Sequence, residues 1–197
     1  MSFLSISSRR GFIRRAAATL TLASLSFVAL PATARAQDVV SKEAAAVVKA
    51  AFLADIEGLH TKFVGLAQAF PQDKYAWRPM EGVRSVSEVL MLAASEGYGF
   101  IPTGFGGKAA LAREESQKLS SVTDKAQVID HLNKAFAHAK AQLEAVDPAT
   151  LTGKRKVMGQ DMSVVQTAGA IAGDLHEHLG QMIAYARMNH IVPPWSK

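Results

Sequence analysis

SVVQTAGAIAGDLHEHLGQMIAYARMN, residues 163–189, is the stretch whose reading decides the fold. Val164, Ala168, Ile171, Leu175, Leu179, Met182 and Ala186 recur at steps of three and four, which places one apolar stripe on a long α-helix. With Leu175 at the centre of that stripe and about 100° per residue, His178 falls about 60° to one side, Tyr185 about 80°, Asp174 about 100° and Gln181 about 120°. These four make a polar stripe beside the apolar one. His176 falls about 100° to the opposite side, so the two histidines of DLHEHLGQ do not share a face. The chemically useful pair is Asp174 with His178, at i and i+4. It can offer a carboxylate oxygen and an imidazole nitrogen to one cation, or stand as a hydrogen-bonded pair at the edge of a core.

The rest of the chain repeats this periodicity. A first helix is expected from about Val40 to Phe70, with Val48, Phe52, Ile56, Leu59, Phe63, Leu66 and Phe70 on its stripe and Pro71 ending it. A second begins at Ser85-Val86-Ser87-Glu88, where Ser85 and Glu88 are spaced for a capping box. Val86, Val89, Ala93, Gly97 and Phe100 share its inner face, and Pro102 with the glycines at 104, 106 and 107 is expected to end it. A short helical piece is expected within 108–122. A third long helix runs from about Asp124 to Val146 on Val128, Leu132, Phe136, Ala139 and Leu143, before Asp147-Pro148 stops it. No segment alternates like a strand, and Lys154-Arg155-Lys156 reads as a solvated loop. Four amphipathic helices in one domain predict an all-α, antiparallel four-helix bundle.

Residues 1–36 are set apart. A basic start, an apolar run from Ala16 to Leu30 and Ala34-Arg35-Ala36 form a cleavable secretory signal, and Ser8-Arg9-Arg10-Gly11-Phe12-Ile13-Arg14 resembles the twin-arginine export motif. The expected product is a periplasmic or otherwise exported domain, residues 37–197, with no stable membrane span after cleavage. The signal changes the charge argument. The formal net charge of +5 comes from 22 Lys and Arg against 17 Asp and Glu. Five arginines and no acid lie in the signal, so the remaining chain balances at 17 of each. Nucleic-acid binding thereby loses its compositional support. The chain has no cysteine, which excludes disulfides, thiolate nucleophiles and Cys-ligated metals.

Two blocks then carry a resemblance. One is Leu66-Ala67, Phe70-Pro71, Trp77-Arg78-Pro79, Gly82, Arg84-Ser85-Val86 and Glu88-Val89. The other is His178-Leu179-Gly180-Gln181, Tyr185-Ala186-Arg187-Met188-Asn189 and Ile191-Val192-Pro193-Pro194-Trp195-Ser196. In order and spacing the chain resembles the DinB-like (YfiT-like) family of four-helix bundles, which is distinct from the DNA polymerase of that name. The resemblance implies a divalent-metal site of three histidines, one from the second helix and two, four residues apart, from the fourth. Some members are thiol-dependent transferases or hydrolases, and others have no assigned activity. Here His178 matches the later fourth-helix histidine, Asp174 stands at the earlier one, and Leu92 stands at the second-helix position. The implied site is therefore degenerate.

Glu96, one turn beyond Leu92 and about 40° around the helix, is a candidate replacement ligand, or else a solvated glutamate. Glu96, Asp174 and His178 would be a harder set than three histidines, better suited to Mn or Fe than to the Zn or Ni of an all-nitrogen site. A metal reading requires these donors to converge within about 5 Å. Gln181 and Tyr185 are expected to line the pocket, bonding a ligand or each other, with Leu92 beside them. His60, at the edge of the first helix's stripe, either points toward His178 or is a satisfied edge residue. His131 and His138, about 10 Å apart along their helix, read as flank residues. His190 reads as the helix-ending turn, and Trp195 as packing the tail back.

Two functions compete. One is an exported module of unassigned activity that binds a small molecule or a partner, with no required cofactor. The other is a metal-dependent hydrolase or transferase with an altered ligand set around His178 and Asp174. Export away from the cytosolic thiols weighs against the transferase. Homodimerisation through a helix face, as in several relatives, is a further expectation.

Overall fold

The computed structural model describes residues 40–196. The export signal read over 1–36 lies outside the described residues.

Helix α1 spans Lys42–Ala69, capped by the Ser41 hydroxyl on the Ala44 N–H. Its apolar stripe is buried from Phe52 through Phe63 to Phe70. Most of the carbonyls left open at its C-terminus find donors. Phe70 N–H donates to Leu66 O, the buried Tyr75 hydroxyl to Ala67 O at 2.7 Å, and Lys125 Nζ to Gln68 O and Phe70 O. Burial pushes the Tyr75 phenol well above its ordinary pKa, so it stays a donor. Tyr75→Phe is expected to destabilise the fold by about 1–3 kcal/mol, because Ala67 O loses its partner in a buried place. A lower urea midpoint at unchanged m-value would show this.

The capping box at Ser85 forms as read. The hydroxyl accepts from Glu88 N–H at 3.3 Å, and the Glu88 carboxylate accepts from Ser85 N–H at 2.6 Å. Helix α2, Val86–Ser95, then passes through a π turn, Glu96–Phe100, into α3, Ile101–Gly104. Two expectations change here. Pro102 does not end the helix; it sits at the start of α3, where a missing N–H does no harm. Phe100 is only half-buried, because the wide turn passes the inner face to Ile101, whose N–H bonds Glu96 O five residues back.

The short helix expected within 108–122 is α4, Arg113–Lys118. Helix α5 spans Lys125–Ala145 with Asp124 as N-cap, and α6 spans Val164–Met188 with Ser163 and Gln166 forming a second capping box. Between them stands a hairpin that the sequence reading missed, β1 (Arg155–Val157) against β2 (Gln160–Met162). Met158 and Gly159 both have positive φ, 52° and 77°, as a two-residue primed turn requires. Three-residue strands are too short to show alternation. Arg155, read as solvated, is half-buried, with its guanidinium on Thr150 O at 2.7 Å.

Helix direction follows from the contacts. Lys49, early in α1, bonds the carbonyls of Glu144 and Val146 at the end of α5, so these two run antiparallel. Tyr185 of α6 reaches Arg84 O before α2, while Ile171 meets Gly104 at the end of α3, so that pair is antiparallel too. The other two neighbouring pairs are parallel. Asp55 of α1 pairs with His176 while Gly65 meets the tail at Pro194, and Gly97 packs on Ala135 while Gly107 meets Gln142. The expected antiparallel order thus holds for two of these pairs. The long connection over 105–124 carries the chain back to start α5 in the direction of α2. One apolar core joins all the long helices. No helix among the described residues is long and apolar enough to cross a membrane.

Candidate metal centre

The capping box fixes where α2 starts, and therefore which side chains face α6. Glu96 lies at the end of α2, and only 7% of it is exposed. It is not the solvated glutamate that was the alternative. His178 and Asp174 come from successive turns of α6, which is held opposite by Leu175, Leu179 and Met182 in the core. His178 Nε2 is 3.1 Å from Glu96 Oε1 and 3.7 Å from Asp174 Oδ1. One ligand atom from each of the three residues lies within 4.8 Å of the other two. The His178 side chain is 13% exposed and that of Asp174 40%, so the cluster opens toward solvent on the Asp174 side.

The electrostatics are those of two crowded acids, one buried and one open to solvent. Burial pushes the Glu96 carboxyl above its ordinary pKa, the hydrogen bond from His178 opposes this, and the Asp174 carboxylate adds to the rise. The Glu96 bond raises His178 above its ordinary value, against its own burial and the positive charge of Arg84. Glu96 Oε2 is buried with no hydrogen-bond partner. An acceptor left open in a low-dielectric place calls for a proton or a cation.

The other candidates fall elsewhere. Gln181 and Tyr185 bond each other at 2.8 Å, and the Tyr185 hydroxyl donates to Arg84 O at 2.9 Å. Tyr185 is buried, edge-on to Trp77, so both residues serve the α2–α6 contact rather than an open pocket. Leu92 does not fill the space between the three donors. It is half-buried and lines a separate cleft of about 470 Å³. His60 lies in the groove between α1 and α5, bonded to Asn133 at 2.9 Å and stacked on Phe136, as a satisfied edge residue. His176 pairs with Asp55 of α1 at 3.0 Å. His131 Nδ1 meets the Tyr98 hydroxyl at 3.2 Å, and His138 bonds Lys108 O. His190 has φ 57°, the left-handed turn read for it, and Trp195 lies against Gly65.

Three features near the site had no readable signal in the sequence. They are the π turn after Glu96, the Ser95–Ser116 hydroxyl pair at 2.7 Å, and a second cleft of about 420 Å³ lined by Glu96 and Tyr98. The hydroxyl pair and the cleft depend on where α4 lies against α2.

Among known proteins, the sequence model of the DinB superfamily matches residues 55–182. That span includes Leu92, Glu96, Asp174 and His178. No curated protein matches the chain.

Proposed function

The chain belongs to the DinB superfamily, and we propose that it binds one divalent cation through Glu96, Asp174 and His178 and uses it in hydrolytic chemistry. The observation that carries this reading is the unpartnered, buried Glu96 Oε2 in a cluster of one imidazole and two carboxylates. Three protein ligands with an open side is the pattern of catalytic rather than structural sites. Two carboxylates and one imidazole favour Mn or Fe over the softer preferences of an all-histidine set. A cation held there would supply Lewis acidity toward a carbonyl or phosphoryl oxygen. The protein's part is to keep Glu96 dry, to hold His178 by packing on α6, and to leave Asp174 at the open side.

Elemental analysis of chain purified without a histidine tag tests the proposal. About one Mn, Fe or Zn per chain is expected. His178→Ala should weaken binding by at least roughly 10- to 100-fold. If the wild type binds none of these ions at millimolar concentration, the cation reading fails. The domain is then a metal-free binding module, a reading that the half-exposed Asp174 and the apolar Leu92 at the implied ligand position support.

We also propose that the protein is exported, on the strength of Arg9-Arg10 and the apolar run that follows. Replacing both arginines by lysine should retain it in the cytoplasm in a fractionation assay. Unchanged export would point to a signal independent of the pair.

A further inference from the structure

The cleft that Leu92 lines is a second site, separate from the cation donors, and its charges do not balance. It lies between the start of α2 and the α4 segment, with Met91, Leu92 and Leu119 as apolar wall and the serines at 95, 116 and 120 as polar wall. Three charged residues line it, Arg78, Arg84 and Glu88, of which Arg84 is exposed at its rim. Arg78 and Glu88 satisfy each other. The guanidinium is 3.2 Å from Glu88 Oε2 and also donates to Val83 O, while the carboxylate caps α2. Arg84 is left over. Its guanidinium makes no hydrogen bond or ion pair among the described residues, although its backbone is fixed on both sides. Its carbonyl takes the Tyr185 hydroxyl, and the next residue is the Ser85 cap.

An unpaired guanidinium on a fixed backbone, at an amphipathic cleft of ligand size, can receive an anion. We propose that this cleft binds a small amphipathic anion, with its carboxylate or phosphate on Arg84 and its apolar body against Met91, Leu92 and Leu119. The Ser95–Ser116 pair divides the cleft from the neighbouring one that Glu96 lines, so a ligand here lies one wall from the candidate metal centre. The positive charge of Arg84 also acts on His178, which places it on the same side of the bundle. The apolar residue at position 92 thus has a positive role, as part of a ligand's wall.

Octanoate, octyl phosphate and octanol, titrated into methyl-labelled full chain and followed at Met91, test this. Both anions should bind at least about tenfold more tightly than the alcohol, with an affinity that falls as salt rises. Arg84→Gln should remove the preference, and Arg84→Lys should keep part of it. A tighter phosphate would assign the head group to phosphate esters, and a tighter octanoate to carboxylates. Equal binding of octanol and octanoate, or an Arg84→Gln variant that binds octanoate like wild type, overturns the proposal. The titration is repeated on chelator-treated protein and on His178→Ala, where anion binding should persist. Loss there would put the anion on the cation instead, overturning this site while supporting the cation reading.

Discussion

Chelator-stripped protein is expected to melt roughly 5–10 °C higher when Mn²⁺ or Zn²⁺ is added at about a hundred times its dissociation constant. A ligand that binds only the folded state adds about 2.7 kcal/mol at that excess. For a domain of this size each kcal/mol moves the melting temperature by about 2–4 °C. Glu96→Gln should abolish the response. It should also melt higher than wild type when both are metal-free at neutral pH, since the amide keeps the shape and can still meet His178 without a buried charge. A Glu96→Gln variant that responds to the cation like wild type would remove Glu96 from the site.

The pH dependence has a definite sign. The folded-state pKa values of Glu96 and His178 both lie above their ordinary values of 4.5 and 6.5. Each therefore contributes stability to the metal-free protein that is fully present below its ordinary value and is lost as pH rises through the raised one. The cation must displace the protons this cluster holds, so the thermal shift should grow with pH, beginning above the range where an ordinary carboxylate would already be free. Melting curves with and without metal across pH 5 to pH 8 would show the two sets diverging.

The second large effect is expected at Gly97. A Cβ there would stand 2.9 Å from Ala135 Cβ and 3.0 Å from the Ala135 carbonyl carbon. Both neighbours sit in the packed contact between the π turn and α5, and a backbone atom cannot step aside as a side-chain tip can. Gly97→Ala should destabilise by about 1–3 kcal/mol, and Gly97→Val by more. Ala135→Gly should recover only part of this, because the carbonyl remains, and urea denaturation of the two single variants and the double variant would measure the coupling. Glu96 is the adjacent residue, so Gly97→Ala should also weaken the metal-induced thermal shift. An undiminished shift in a destabilised variant would mean that the cluster does not depend on this helix contact.

The long helices were legible because their signals are local. The stripe from Phe52 to Phe70, the capping box at Ser85 and Glu88, the helix starts near Asp124 and Ser163 and the Asp174–His178 pairing all depend on residues within a turn or two of each other. Helical geometry alone parts His176 from His178, and the structure sends them to Asp55 and Glu96, on different sides of α6. The family was legible for the same reason, since its blocks sit at fixed intervals along these helices. The hairpin at 155–162 was not, because three-residue strands carry no period.

What the tertiary structure alone decided is the state of Glu96. The helical wheel alone favours a solvated glutamate, because nothing on α2 itself turns Glu96 toward α6. Its burial comes from α6 and α5 packing against the end of α2 and its π turn, and its open oxygen from no donor reaching it. The same packing separates Leu92 from the donors and leaves Arg84 unpaired at the cleft. The sequence determined which side chains each helix could offer, since periodicity is a property of one segment. Which of them meet, and in how dry a place, depends on contacts between segments far apart in the chain, and only the fold brings those together.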